Sequence, residues 1–267
     1  GISRVAPTDE RFLPKLAALE GLLGPRTKAV LINSANNPSG VVYPAELLRA
    51  LGETLRRAEE QYQTQIYLVS DEPYARLIFD GLDYPRVFGF HPSAVVATSY
   101  SKDLSLAGER IGYLAVHPEC PGGGELMDAL IHCTRVLGFV NAPALMQHIV
   151  RNLQGVAVDS AWYERRRDFL YRELTGMGYS VVKPQGAFYM FPRSPLDDDL
   201  AFVQDLQDQN VLVVPGTGFG APGYFRISYA VEDWVLEGAL EGFRRAAISS
   251  GLSGKNAKTK RELKYAC

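Results

Sequence analysis

The chain has 267 residues, of which 46% are hydrophobic and 22% are charged, and its formal net charge is −2. This composition is ordinary for a globular protein with a sizeable core, and the near-neutral charge does not indicate a surface for nucleic acid or anionic membrane. No apolar run reaches the roughly 18 residues that a membrane span needs. The three cysteines lack metal-ligand spacing and suit a reducing compartment, so we expect a cytoplasmic protein.

The first half of the chain alternates short apolar runs with helical patterns. These patterns predict a helix from about Pro44 and strands at residues 27–33, 65–70, 94–98 and 111–116. Strands that alternate with helices are typical of an α/β fold, in which helices sandwich a mostly parallel sheet. Ligands bind such sheets at the carboxyl ends of the strands, and polar residues follow several of these runs.

The second half is helical at first and then mixed. The pattern predicts a long charged helix at residues 157–175, and we interpret the arginines at 165–167 as its solvated face. Short strands are predicted at 187–191, 211–214 and 225–229, with a helix between the first two and a last helix at 232–247. We therefore expect a large domain at 1–155, a smaller α+β C-terminal domain with a linking helix at 156–248, and a disordered tail at 249–267.

Four separate segments carry polar residues within or shortly after predicted strands. They are Asn37-Pro38-Ser39-Gly40, Ser70-Asp71-Glu72-Pro73-Tyr74, Ser99-Tyr100-Ser101-Lys102 with the following Gly108–Tyr113, and Phe225-Arg226-Ile227-Ser228. In this order and with these separations, the segments resemble class I/II aminotransferases, which are fold-type I enzymes that use pyridoxal 5′-phosphate (PLP). Gly186-Ala187-Phe188-Tyr189 matches a further signature of that family. The resemblance extends from about residue 9 to about residue 247.

The resemblance assigns a role to each of these polar residues. Lys102 is implied to hold the cofactor aldehyde as a Schiff base and to move the proton at the substrate Cα. Asp71 is implied to keep the pyridine nitrogen protonated. The further cofactor contacts implied are Tyr74 and Asn37 at the ring 3′-oxygen, and Ser99, Ser101 and Arg110 at the phosphate. Arg226, with Asn37, is implied to bind the α-carboxylate of the substrate.

The resemblance implies a ping-pong transamination between an α-amino acid and a 2-oxo acid. Because active sites of the family lie at a dimer interface, we expect a homodimer, without a nucleic-acid or membrane partner. Three alternatives remain open: a PLP-dependent C–S lyase, the effector domain of a transcription regulator, and a catalytically inactive truncated aminotransferase. The four histidines have no ligand spacing, so we expect no metal site.

Two further features bear on this interpretation. Gly216–Ala221 fits the G-x-G-x-x-A pattern of dinucleotide sites, but Pro222-Gly223 and a predicted strand follow it instead of a helix, so we interpret it as a loop. The family usually has a further N-terminal stretch with a glycine-rich phosphate loop and an aromatic residue that stacks on the pyridine ring. Since this sequence opens just upstream of the strand before Asn37, our hypothesis is a truncated enzyme with weakened PLP binding and an unpaired sheet edge.

Overall fold

The computed structural model describes residues 1–252 and residue 254, and the chain divides into two compact units. The first unit contains Gly1–Ala35 and Val41–Val158. The second contains Asn36–Gly40 and the residues from Asp159 onward. Of the tail expected to be disordered at 249–267, residue 253 and residues 255–267 lie outside the described residues.

The first unit is built on a four-stranded sheet. Its strands, in the order in which they pair, are β1 (Ala29–Asn33), β2 (Tyr67–Asp71), β3 (Ala94–Ser99) and β4 (Gly112–Val116). The first three strands are parallel, and β4 runs antiparallel to β3. The connection from β3 to β4 lacks a full crossover helix, and a parallel return would need one. The predicted mostly parallel α/β fold is therefore confirmed, with one antiparallel strand.

Five helices belong to the first unit. They are α1 (Leu16–Glu20), α2 (Ala45–Tyr62), α3 (Tyr100–Asp103), α4 (Gly123–Val136) and α5 (Ala144–Asn152). The long helix α2 begins directly after Pro44 and buries Leu48, Leu51 and Leu55, which the helical repeat places on one side. Helix α5 buries Met146 and Val150 against Ile111, so it packs on the segment that joins β3 to β4.

Within its described residues, the second unit combines three helices with a small antiparallel sheet. Its elements are α6 (Ser160–Met177), β5 (Tyr189–Met190), α7 (Asp199–Asp208), β6 (Val214–Pro215), β7 (Phe225–Ser228) and α8 (Asp233–Ser249). The strand order is β5-β7-β6, and both pairs are antiparallel. Phe202, Phe225 and Phe243 pack around Tyr179 in the core. The sequence predicted a loop rather than a helix at this position, and Gly216–Phe219 forms a 3₁₀ turn that no α-helix follows directly.

The interpretation of residues 165–167 as a solvated helix face is wrong for two of the three arginines. Arg166 is 4% exposed and Arg167 is fully buried. Arg166 donates from Nε to Asp233 over 2.6 Å and lies over the Trp162 ring, whereas Arg167 donates to the Pro184 carbonyl over 2.7 Å. Both arginines are tolerated inside the fold because carboxylates, a carbonyl or an aromatic face take the place of water.

The short segment Asn36–Gly40 is held by the second unit through backbone hydrogen bonds. The N–H groups of Gln185 and Gly186 both donate to the Gly40 carbonyl, over 2.8 and 3.0 Å. Gly40 has a φ of 71°, and a Cβ at this position would lie 2.6 Å from the Pro184 Cβ. Only glycine fits both the left-handed backbone and the close approach.

None of the described helices combines the length and the apolar character needed to cross a membrane.

Candidate functional site

A cavity of about 370 Å³ opens in the first unit at the carboxyl ends of β2 and β3. Asp71 is the last residue of β2, and Ser99 is the last residue of β3. The lining residues are Asp71, Pro73, Ala97, Thr98, Ser99, Ser101, Lys102, Ala107 and Arg110. This position agrees with the general rule that ligands bind parallel sheets at the ends of their strands.

Lys102 reaches the cavity from α3, which follows β3 without an intervening loop. The start of this short helix is fixed by two backbone hydrogen bonds, from Tyr100 N to Ile111 O and from Leu106 N to Tyr100 O, both 3.1 Å. Tyr100 and Leu104 also pack against the apolar cluster that contains Ile111. Packing and hydrogen bonds on both sides of Lys102 therefore hold the backbone that carries its amine.

Arg110 reaches the same cavity from the turn before β4. Its backbone is left-handed, with a φ of 52°, and Nη1 of its guanidinium donates to the Ala107 carbonyl over 2.8 Å. The next strand starts at Gly112, which pairs with Ser99 so closely that a Cβ would overlap the Thr98 carbonyl oxygen. Glycine at position 112 therefore lets the Arg110 turn lie against the end of β3.

Asp71 supplies the negative group of the cavity. The residue is partly buried, and burial raises the pKa of its carboxyl above the ordinary value because a charged carboxylate is poorly solvated there. Asn33 donates from Nδ2 to Oδ2 of Asp71 over 3.2 Å and to the Asp71 carbonyl over 3.0 Å. Sequence reasoning missed Asn33, because its place beside Asp71 follows from the register of β1 and β2.

Asn37 and Arg226 meet in the second unit. The guanidinium of Arg226 donates from Nη1 to Oδ1 of Asn37 over 3.0 Å. The centroids of the Tyr189 and Phe219 rings lie 4.6 and 4.8 Å from its central carbon. Two aromatic rings and an amide thus orient the guanidinium, a group that binds carboxylates through two parallel hydrogen bonds.

The structure places the predicted site residues in three groups. Asp71, Ser99, Ser101, Lys102 and Arg110 line one cavity in the first unit. Asn37 and Arg226 are in contact within the second unit. Tyr74 is 3% exposed in the turn after β2, where its carbonyl accepts from Leu77 N, and it is not among the lining residues of the cavity. The role of each of these residues stays a prediction.

The groups in the first-unit cavity fit the functional groups of PLP. An aldehyde requires an amine, which Lys102 carries, and a basic ring nitrogen requires an acid, which Asp71 carries. A phosphate requires cationic and hydroxyl donors, and the Arg110, Ser99 and Ser101 side chains are of these types. No group of three or more metal-binding side chains occurs within the described part of the chain.

Comparison with known proteins gives consistent matches over nearly the whole chain. Residues 2–243 match the family model of aminotransferase class I and II. The aspartate/prephenate aminotransferase of Thermus thermophilus is 36% identical over 250 residues, which cover 89% of this chain and 61% of that protein. Aromatic-amino-acid aminotransferase 2 of Thermococcus litoralis is 31% identical over 243 residues, covering 87% of this chain and 60% of that protein.

Solved structures agree with the sequence matches. The crystal structure of an aminotransferase from Eubacterium rectale superimposes with a TM-score of 0.89 and is 39% identical. The match covers 92% of this chain and 62% of the Eubacterium rectale chain. The chain therefore spans about three fifths of the length of the relatives that it matches.

Proposed function

We propose, since this chain belongs to the class I and II aminotransferase family, that it carries the reactive lysine and most of the cofactor contacts of a PLP-dependent transaminase. The observation that carries this proposal is the cavity in which Lys102, Asp71 and Arg110 converge at the ends of two parallel strands. PLP supplies an electron sink that stabilises negative charge at the Cα of an amino acid.

The residues of the first-unit cavity divide the work of binding and proton transfer. The amine of Lys102 would hold the cofactor aldehyde and, when free, would accept the proton from the substrate Cα. The carboxylate of Asp71 holds a proton at the ring nitrogen. Arg110, Ser99 and Ser101 bind the phosphate. The family resemblance assigns Tyr74 and Asn37, which do not line this cavity, to the ring 3′-oxygen.

Arg226 and Asn37 select the substrate class. The guanidinium of Arg226, oriented by Tyr189 and Phe219, binds the α-carboxylate of the amino acid and of the 2-oxo acid that exchanges with it. The names of the relatives, which include aspartate, prephenate and aromatic amino acids, support an α-amino acid substrate and a 2-oxo acid acceptor.

We infer further that the protein functions as a cytoplasmic homodimer. Six large apolar side chains between residues 136 and 149 lie at the surface. We call this region the apolar stretch. They are Val136, Leu137, Phe139, Val140, Leu145 and Ile149. An exposed apolar surface of this kind is typical of a protein interface. The free thiols of Cys120 and Cys133 suit a reducing compartment.

The proposal is tested by adding PLP to the purified chain and to two lysine variants. After unbound cofactor is removed by gel filtration, the wild-type chain is expected to retain an absorption band outside the protein's own ultraviolet range, and borohydride reduction is expected to fix the cofactor on the peptide that contains Lys102. Lys102→Ala loses both signals, whereas Lys28→Ala, which removes an exposed lysine hydrogen-bonded to Thr64, keeps them. A band that persists in Lys102→Ala, or its absence from the wild-type chain, contradicts the proposal.

A further inference from the structure

The carboxylate of Asp71 is held by a neighbour that the family resemblance did not assign. Asn33 is the last residue of β1 and Asp71 is the last residue of β2, and the two are register partners in the parallel ladder. They therefore project from the same face of the sheet. The carboxamide of Asn33 makes two contacts to one residue, because Nδ2 donates both to Oδ2 and to the backbone carbonyl of Asp71.

One of these hydrogen bonds restrains the Asp71 side chain, and the other holds the Asn33 amide on the Asp71 backbone. A carboxylate at the end of a strand has two free side-chain torsions, and Asn33 ties one of its oxygens to the rigid backbone of both strands. Asn33 is itself partly buried on the sheet, so its amide has little freedom to follow a moving partner. The amide thus defines where the Asp71 carboxylate lies at the cavity edge.

The hydrogen bond also acts on the charge of Asp71. Burial raises the pKa of this carboxyl, whereas a donor to the ionised form favours the charge. The other charged groups that line the cavity are Lys102 and Arg110. Glu72, the next residue along the chain, is buried and accepts a hydrogen bond from Ser70 Oγ over 2.8 Å. Asn33 is the group observed to donate directly to Oδ2 of Asp71.

We propose that Asn33 is a positioning residue that keeps the Asp71 carboxylate ionised and oriented to pair with the protonated ring nitrogen of the cofactor. The inference rests on the proposed function, because it gives Asp71 its role there. It adds a residue of β1 to the site, and this residue acts on the cofactor only through Asp71.

The first test needs no cofactor. In the chain labelled with ¹³C-carboxyl aspartate, the Asp71 signal is assigned by its loss in Asp71→Asn and is followed as the pH is changed. Asn33→Ala is expected to raise the pKa of Asp71 by about one unit, and Asn33→Asp by more, because it adds a like charge. Asn152→Ala, which removes an amide that donates to His148 O within α5, leaves the pKa of Asp71 unchanged. An Asp71 pKa that is the same in the wild-type chain and in Asn33→Ala overturns the inference.

The second test asks whether the effect passes through the ring nitrogen. Binding is measured for PLP and for its analogue in which a C–H group replaces that nitrogen. Asn33→Ala is expected to bind PLP roughly tenfold more weakly, because an Asp71 carboxylate that is no longer oriented pairs less well with the ring nitrogen, and to bind the analogue as the wild-type chain does. An equal loss for both compounds means a general structural role and overturns the inference. If the wild-type chain does not bind PLP through Lys102, the proposed function fails, while the titration still decides whether Asn33 sets the charge of Asp71.

Discussion

Arg167 is a charged residue whose partners replace water inside the second unit. Its side chain is fully buried in α6, and it donates to the Pro184 carbonyl over 2.7 Å and to Glu164 over 3.1 Å. The carboxylate of Asp168 lies 2.8 Å from its Nε. Pro184 lies just before the segment Gly186-Ala187-Phe188-Tyr189. The hydrogen bond from Arg167 therefore joins α6 to the loop that leads into β5.

Replacing Arg167 with methionine is expected to lower the free energy of unfolding by about 2–3 kcal/mol. The methionine retains most of the apolar volume but leaves the Pro184 carbonyl without its donor. Urea unfolding followed by circular dichroism measures the change. The matched variant Arg165→Met alters an exposed arginine of the same helix and is expected to change stability by less than about 0.5 kcal/mol. Equal effects of the two variants would contradict a structural role for Arg167.

The sequence motifs predicted which polar residues lie together better than they predicted which residues are buried. Lys102, Asp71 and Arg110 were found from their motifs, and the structure places all three in one cavity. The burial of Arg167 was missed because its acceptor, Pro184, is 17 positions away and no periodicity connects the two. Asn33 was missed for the same reason, since its contact with Asp71 depends on the register of two separate strands.

The carboxylate of Asp199 connects the first turn of α7 to the loop after β6. The residue is 3% exposed, and its carboxylate accepts from Thr217 N and Thr217 Oγ1, both over 2.8 Å, and from Gly223 N over 3.3 Å. The same loop carries Phe219, one of the two rings over Arg226. Burial raises the pKa of Asp199, but the hydrogen bonds that its carboxylate accepts outweigh this effect and hold the pKa below the ordinary value.

This lowered pKa predicts an acid-sensitive contribution to stability. Because the folded-state pKa of Asp199 lies below its unfolded value of about 4, the contribution is complete above pH 4 or so and disappears as the pH falls through the folded-state pKa. Asp199→Asn is expected to be less stable than the wild-type chain by about 1 kcal/mol at pH 7, and the difference shrinks in acid. Urea unfolding between pH 7 and pH 3 measures it, with the exposed Asp205→Asn of the same helix as the control. A stability difference between the two chains that stays constant down to pH 3 would show that the charge of Asp199 does not contribute to stability.

The elements themselves were largely predictable. Four strands of the first sheet and the helix after Pro44 follow from apolar runs and turn residues, and their predicted positions overlap those of β1, β2, β3, β4 and α2. The sequence did not predict that β4 runs antiparallel to β3, because a short apolar run is compatible with both parallel and antiparallel pairing. The attachment of Asn36–Gly40 to the second unit was also hidden, because it depends on contacts with residues 184–189, far along the chain.

The apolar stretch of the first unit is the surface through which we propose that two chains associate. Phe139 is 74% exposed and Leu145 is 71% exposed, and the other four apolar side chains of the stretch are also at the surface. The transfer of such side chains from water contributes roughly 25 cal/mol for each Å² that becomes buried. Association of two identical surfaces buries the stretch twice, which favours a symmetric dimer.

The double variant Phe139→Ser/Leu145→Ser is therefore expected to shift the protein from dimer to monomer. Sedimentation velocity over a concentration series measures the shift, and an increase in the dimer dissociation constant of at least about tenfold is expected from the loss of two exposed apolar side chains. Leu212→Ser is the matched control, because Leu212 is 81% exposed but lies in the second unit, outside the apolar stretch. A wild-type chain that stays monomeric throughout the series, or a double variant that dimerises as well as the wild type, would contradict the proposed homodimer. A monomer–dimer shift produced equally by Leu212→Ser would show that exposed leucines in general, rather than the apolar stretch, drive the association.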